Sequence, residues 1–284
     1  MATMLNRGRT AVGRFHRIHP EFQGKGIGSM LSSALGEAIL NHPSIQEIMY
    51  VKLLTGPKIC PCPYGDYTIA ITKPRVSYNA IDHSGVEAVS SALEKYDVNT
   101  LRWLNDDEAK YALTSPHVGR RLFPDDVILV DLMPYRRAAD VHAIVVDNEN
   151  PYVLADDGYA SLSFGTAFPL ADDFRVRYKI DVYARDAAAA RSHVARHARL
   201  AAAIFDGKSV AFVVCADARL RDVRADVFRA VGEAGLQESD VGRGGGQYQL
   251  IAAVDARDFA ESIKRDAQSN PVTWQWEPGA LRMR

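Results

Sequence analysis

The chain is short of several things that would have classified it at once. It has three cysteines, Cys60, Cys62 and Cys215, in 284 residues. That number is odd and small, which excludes a disulfide framework and fits a reducing compartment. Charge of one sign is also missing. Thirty-four Lys and Arg face thirty-five Asp and Glu, a net charge of −1, so no global field draws the chain to nucleic acid or to an anionic membrane. No apolar run reaches the roughly 18–20 residues that span a bilayer, and residues 1–10 lack the apolar segment of a secretory signal. A cytoplasmic protein with no membrane partner is the expectation.

What is present is an ordinary globular composition, 47% hydrophobic and 24% charged, with enough apolar mass for one or two cores. The patterning predicts an α/β protein of mixed sheets and helices. A small N-terminal β-α-β segment is expected over 1–75 and a larger layered α/β domain over 76–284. In the first, a strand at 10–18 leads to a glycine loop, a helix runs from Ser29 to Leu40 before Asn41-His42-Pro43, and a strand covers 45–54. Gly56-Pro57, Cys60-Pro61, Cys62-Pro63 and Lys73-Pro74 read as breaks, with one alternating run at 67–71 between them.

In the second domain, Ser84 and Glu87 have capping-box spacing ahead of a helix with Val86, Val89, Leu93 and Tyr96 on one face. A helix over 98–113 and strands at 127–132, 141–147 and 159–164 follow. The clearest strand is 174–183. There Phe174, Val176, Tyr178, Ile180 and Val182 alternate with Arg175, Arg177, Lys179 and Asp181, which predicts one buried face and one wet, basic face. Asp186 then caps an Ala-rich helix to about Phe205, 209–215 is a buried strand, and Asp217 caps a further helix. A strand at 248–254 and a helix at 256–264 complete a β-α-β-α-β-α tail.

The sharpest chemical signal is Gln23-Gly24-Lys25-Gly26-Ile27-Gly28-Ser29. Glycines at alternate positions aim backbone N–H groups into one concavity, and the helix that follows adds its positive dipole end, together a cradle for phosphate or pyrophosphate. The spacing fits neither a Walker loop nor the dinucleotide fingerprint.

The run from Ile18 to Leu31, with His19-Pro20 at a strand end and the glycine loop opening a helix, resembles motif A of the GNAT acetyltransferase superfamily. The resemblance covers about residues 10–54. It implies that Gln23, Gly24, Lys25, Gly26, Ile27, Gly28 and Ser29 bind the pyrophosphate of acetyl-CoA and that the chain is an acyl-CoA-binding protein. N-acetyl transfer is its activity when the fold is completed, by downstream strands or by a second subunit. It singles out no general base; His16 and Tyr50 flank the implied thioester and read as ordinary strand residues.

A weaker resemblance covers residues 103–276. Trp103 before Asp106, Asp107 and Glu108, Pro124-Asp125-Asp126 before a strand, Tyr178 to Asp181, and a tail ending at Trp274 and Trp276 are similar to the plasmid replication-relaxation group of the PD-(D/E)XK nuclease-like fold. It implies nucleic-acid handling with Asp125 and Asp181 at the metal-holding carboxylates. Tyr183 stands where that fold carries its lysine, so the implied site is inactive. A structural or assembly protein with no active site is the third reading.

The other candidates are read as structural. Cys60 and Cys62 lack a second ligand pair, so no metal is expected. His193 and His197, four apart among Arg191, Arg196 and Arg199, read as a solvated basic face. Gly242 to Gly246 precedes a strand and reads as a connector. Arg175, Arg177 and Lys179 with those helix arginines form a possible nucleic-acid patch, but nearby Asp172, Asp173, Asp181 and Asp186 favour a salt-bridged surface.

Overall fold

A computed structural model describes residues 2–13, 20–23, 25–54, 68–80, 87, 90–96, 100–131, 133–147, 151–169, 175–205, 209–216, 229, 247–259, 261, 274–277 and 280–283. The chain is a mixed α/β protein and divides into two compact units. The first holds residues 1–51, 59–69 and 251–284, and the second 52–58 and 70–250.

In the first unit β1 (Ala2–Leu5) pairs antiparallel with β2 (Thr10–Gly13). β2 then runs parallel to β3 (Glu47–Leu54) in the register Thr10 to Glu47 through Gly13 to Tyr50. Parallel neighbours need a crossover, and α1 (Ile27–Leu40) supplies it. Ala11, Ile39 and Ile48 pack with Ala256 and Phe259, so the tail of the chain completes the core of its beginning. Ala256 N–H also donates to the Gln46 carbonyl at 3.0 Å.

The second unit contains the strands in the order β4-β11-β10-β9-β8-β5. These are β4 (Thr68–Ala80), β5 (Leu101–Trp103), β8 (Tyr152–Asp156), β9 (Leu162–Pro169), β10 (Arg175–Tyr183) and β11 (Ser209–Cys215). Of the pairings described in this unit only β10 with β11 is parallel, and the helix α4 (Ala187–Ile204) joins them. Tyr178, Ile180 and Val182 of β10 and Val210, Phe212 and Val214 of β11 bury against Ala190, Val194, Ala195, Ala198 and Ala201 of α4. Alanine along that stripe lets the helix approach the sheet closely. A hairpin of β6 (Val127–Val130) and β7 (Met133–Arg136) forms a separate ladder.

Several expectations need correction. The run 98–113 is not one helix: β5 pairs with β8, and α2 (Asp106–Thr114) starts only after Asn105, whose side chain accepts from Glu108 N–H while Glu108 accepts from Asn105 N–H. That reciprocal cap fixes the start, and α3 (Pro116–Leu122) follows. The β-branched run 141–147 is helical, with a wide turn at Ala143–Asp147, because Ile144 and Val145 are buried there and Ile144 N–H bonds to the Asp140 carbonyl. Packing overrides β-propensity at such sites. Lys73-Pro74 lies inside β4, where the extended backbone suits proline and the described ladder to β11 begins at Arg75.

The wet face of β10 is not wet. Leu129 N–H donates to Tyr183 Oη, and Asp131 N–H to Asp181 Oδ2 at 2.9 Å, so the β6–β7 hairpin covers it. Lys179 and Asp181 are 2% and 0% exposed and pair at 3.3 Å, while Arg177 bonds Asp131 and lies over Phe168. The helix expected after Asp217, the glycine run 242–246, and Cys60 and Cys62 lie outside the described residues.

Candidate functional site

The first unit presents a parallel strand-helix-strand with a glycine at the helix entrance. Pro20–Phe22 forms a single 3-10 turn, and Gln23 and Lys25 are exposed. Gly26 caps α1 with φ +70° and ψ 1°, a left-handed conformation that costs an L-residue about 1–2 kcal/mol. Its carbonyl accepts from Met30 N–H at 3.1 Å. Among the described residues no side chain caps the helix, and no acid lies in its first turn. The N–H groups of Ile27, Gly28 and Ser29 therefore belong to the set that a helix leaves without intrahelical partners. Lys25 Nζ sits 5.2 Å from the Phe22 ring centroid, which places a cation beside that entrance. Of the residues expected to bind the cofactor, Gln23, Lys25, Gly26, Ile27, Gly28 and Ser29 are thus placed at or next to one helix start; Gly24 and His16 lie outside the described residues. Tyr50 stands on β3 opposite Gly13.

The second unit has the same local topology with the opposite ending. α4 follows β10 after three residues, but Asp186 closes it by accepting from Ala189 N–H at 2.8 Å. Among the described residues no side chain caps the α1 start, whereas a carboxylate fills the α4 start.

The interior of the second unit holds a continuous polar chain that overturns the expected solvated histidine face. His193 and His197 are fully buried. Ser163 Oγ lies 2.7 Å from His193 Nδ1 and 2.9 Å from His197 Nε2. His197 Nδ1 lies 2.8 Å from Tyr178 Oη, and His193 Nε2 lies 2.9 Å from Ser161 Oγ. Ser161 in turn donates to Asp156 Oδ2 at 3.2 Å. Burial pushes His193 down to about 3 and holds His197 well below the ordinary imidazole range, with His193 adding to the effect. Both rings are neutral at pH 7. Burial likewise raises the Tyr178 phenol well above its usual value, with Tyr152 contributing. Trp103 meets the His197 ring edge to face at 5.1 Å.

The sequence did carry a signal for this chain. Ser161, Ser163, Gly165 and Ala167 are small residues at alternate positions, the pattern of a strand face against which a helix packs tightly. Only with β9 placed under α4 do the histidines four apart meet that face. The expected nuclease acids, by contrast, do not form a site. Asp125 is exposed in the turn before β6, whereas Asp181 is buried and committed to Asp131 N–H and Lys179. Among the described residues no group of three His, Cys, Asp or Glu is arranged to hold a metal ion, and no helix is long and apolar enough to cross a membrane.

Comparison with known proteins bears on the same segments. Residues 97–217 match the family model of the histidine N-acetyltransferase C-terminal region, so that stretch, which overlaps the nuclease-like resemblance, is acetyltransferase-like in sequence. Among solved structures the chain is similar to a GCN5-related N-acetyltransferase from Anabaena variabilis, with TM-score 0.38 and 11% identity over 90% of this chain. It spans 58% of that protein's length. It is also similar to a GCN5-related N-acetyltransferase from Sphaerobacter thermophilus, with TM-score 0.37 and 11% identity over 90% of this chain and 76% of that one. A functionally unknown conserved protein from Staphylococcus epidermidis gives TM-score 0.42 and 9% identity over 86% and 84%. No curated protein matches the chain.

Proposed function

We propose that the chain binds acyl-CoA through residues 23–29 and acts as an N-acetyltransferase of the GNAT type. The observation that carries the reading is the start of α1, which is uncapped, free of acids in its first turn and entered through Gly26 in the left-handed region. An anion there meets backbone N–H groups and the positive end of a 14-residue helix dipole. A second, non-overlapping segment, 97–217, matches an acetyltransferase family.

The residues fit the cofactor's pyrophosphate. The amides of Ile27, Gly28 and Ser29 would hold it, the exposed Lys25 adds a positive charge, and Gly26 keeps a side chain out of the entrance. Bound acetyl-CoA supplies an activated acyl thioester; the chain's own part is to fix the phosphates and so orient the rest of the molecule. The start of α4 is a poor second site because a phosphate there would have to displace the Asp186 carboxylate.

Calorimetry with coenzyme A on the full chain tests the reading. Binding to the wild type and its loss in a Gly26→Glu/Gly28→Glu double variant of unchanged circular dichroism are expected. No heat from the wild type overturns it.

A further inference from the structure

The polar chain inside the second unit has a direction, and the direction follows from its end. An ionised carboxylate only accepts hydrogen bonds, a neutral imidazole donates from one nitrogen and accepts at the other, and a hydroxyl does one of each along a chain. Ser161 donates to Asp156 Oδ2, so its oxygen must accept from His193 Nε2–H. His193 Nδ1 then accepts from Ser163, Ser163 accepts from His197 Nε2–H, and His197 Nδ1 accepts from Tyr178 O–H. Five hydrogen bonds of 2.7–3.2 Å run one way from a phenol to a carboxylate.

Both ends matter. Tyr178 is 0% exposed, whereas Asp156 is only half-buried at the turn between β8 and β9, where its other oxygen accepts from Ala160 N–H at 2.5 Å. The interior members are held on two elements: Ser163 on β9 with Ser161 immediately before it, and the histidines one helical turn apart on α4. Substituting either serine with a residue that cannot both donate and accept would break the series.

We propose that Tyr178, His197, Ser163, His193, Ser161 and Asp156 form a directional proton relay that connects the buried phenol to solvent. Its ligand is the proton. In one passage the Tyr178 O–H bond breaks as His197 Nδ1–H forms. His197 Nε2–H passes to Ser163, Ser163 O–H to His193 Nδ1, His193 Nε2–H to Ser161, and Ser161 O–H to Asp156. One proton has then moved from phenol to carboxylate, each intermediate group has lost one proton and gained one, and no electron has been transferred; burial disfavours the phenolate this leaves, so the state is transient. Return of a proton through Asp156 runs the series backwards. The relay lets the interior exchange a proton with water without separating α4 from the sheet. It is independent of the coenzyme A reading and uses none of residues 23–29.

Nitrogen-15 NMR of the full-length wild type tests it first. At pH 7 both buried rings are expected as the neutral tautomer protonated on Nε2. A ring protonated on Nδ1, or an imidazolium, overturns the proposal.

The second measurement is the exchange of the His197 ring N–H with solvent in the wild type and in Ser163→Ala, which cuts the path at its middle. Exchange is expected to slow by about tenfold or more, because the proton then waits on local opening, while the β10 amides exchange as before. An unchanged His197 rate overturns the relay. Ser161→Ala cuts the same path nearer the carboxylate and gives the same test should the first variant fail to fold.

Discussion

Mild acid should weaken the second unit through its two buried histidines, and the size of the effect can be worked out. In the unfolded chain an imidazole titrates near 6.5, whereas burial lowers His193 to about 3 in the folded protein. Between those values the unfolded state holds a proton that the folded state refuses. Stability therefore rises with pH across the window, is complete above about 6.5, and is lost as pH falls toward the folded value. Each pH unit costs about 1.4 kcal/mol per histidine. From pH 6.5 to 4.5 His193 alone removes about 2 kcal/mol, and His197, held low by the same burial, adds a slope of the same sign. About 2 kcal/mol is already a large fraction of the stability of many domains. Carboxylates such as Glu108, lowered by the Asn105 backbone and Arg102, add a slope of the same sign only at lower pH, so the window isolates the rings. Urea unfolding followed by tryptophan fluorescence at several pH values measures it. His193→Gln should flatten the slope by about 1.4 kcal/mol per pH unit whatever it does to absolute stability. Parallel slopes for wild type and variant, or a flat wild type between pH 6.5 and 5, would refute the reasoning.

Three further outcomes are expected. Gly165→Ala would place a Cβ against Tyr178 Oη and 2.7 Å from His197 Cε1 and Nδ1, both on buried rings with no room to retreat. The cost is about 2–3 kcal/mol, read by calorimetry as a melting temperature lower by roughly 5–10 °C. Asp186→Ala removes the cap of α4 and should destabilise the protein by about 1 kcal/mol in urea titrations, with coenzyme A affinity unchanged. Lys25→Glu reverses an exposed charge beside the α1 start and should weaken coenzyme A binding about five- to tenfold at low salt, with the difference shrinking as salt is added.

The fold class and the major elements were legible because their signals are local. The alternation at 174–183, the Asp186 cap and the apolar run 209–215 each reproduce as β10, the start of α4 and β11. The parallel β10–β11 pair also follows from the helix between them. What was illegible depends on contacts distant in sequence. The basic positions of β10 look solvent-facing until Asp131 and Leu129, some fifty residues earlier, are laid over them. His193 and His197 look like a wet arginine-flanked face because their partners come from other elements, Ser163 from β9, Ser161 from the residue just before it and Tyr178 from β10. The helical turn at 143–147 is not legible locally, since burial of Ile144 and Val145, and not their β-branching, decides it. The glycine loop is the opposite case: its chemistry is carried by consecutive residues.

The pairing of Lys179 with Asp181 constrains how this chain can change over time. The two sit two positions apart on one strand, 2% and 0% exposed and 3.3 Å apart. Losing either one strands a charge in the interior, at a cost of about 3–5 kcal/mol, whereas replacing both with well-packed apolar residues can be close to neutral. Between those two endpoints lies a valley that a lineage taking one substitution at a time must cross. Positions 179 and 181 are therefore expected to change as a unit, and a descendant that has shed one of them should carry a compensating change at the other.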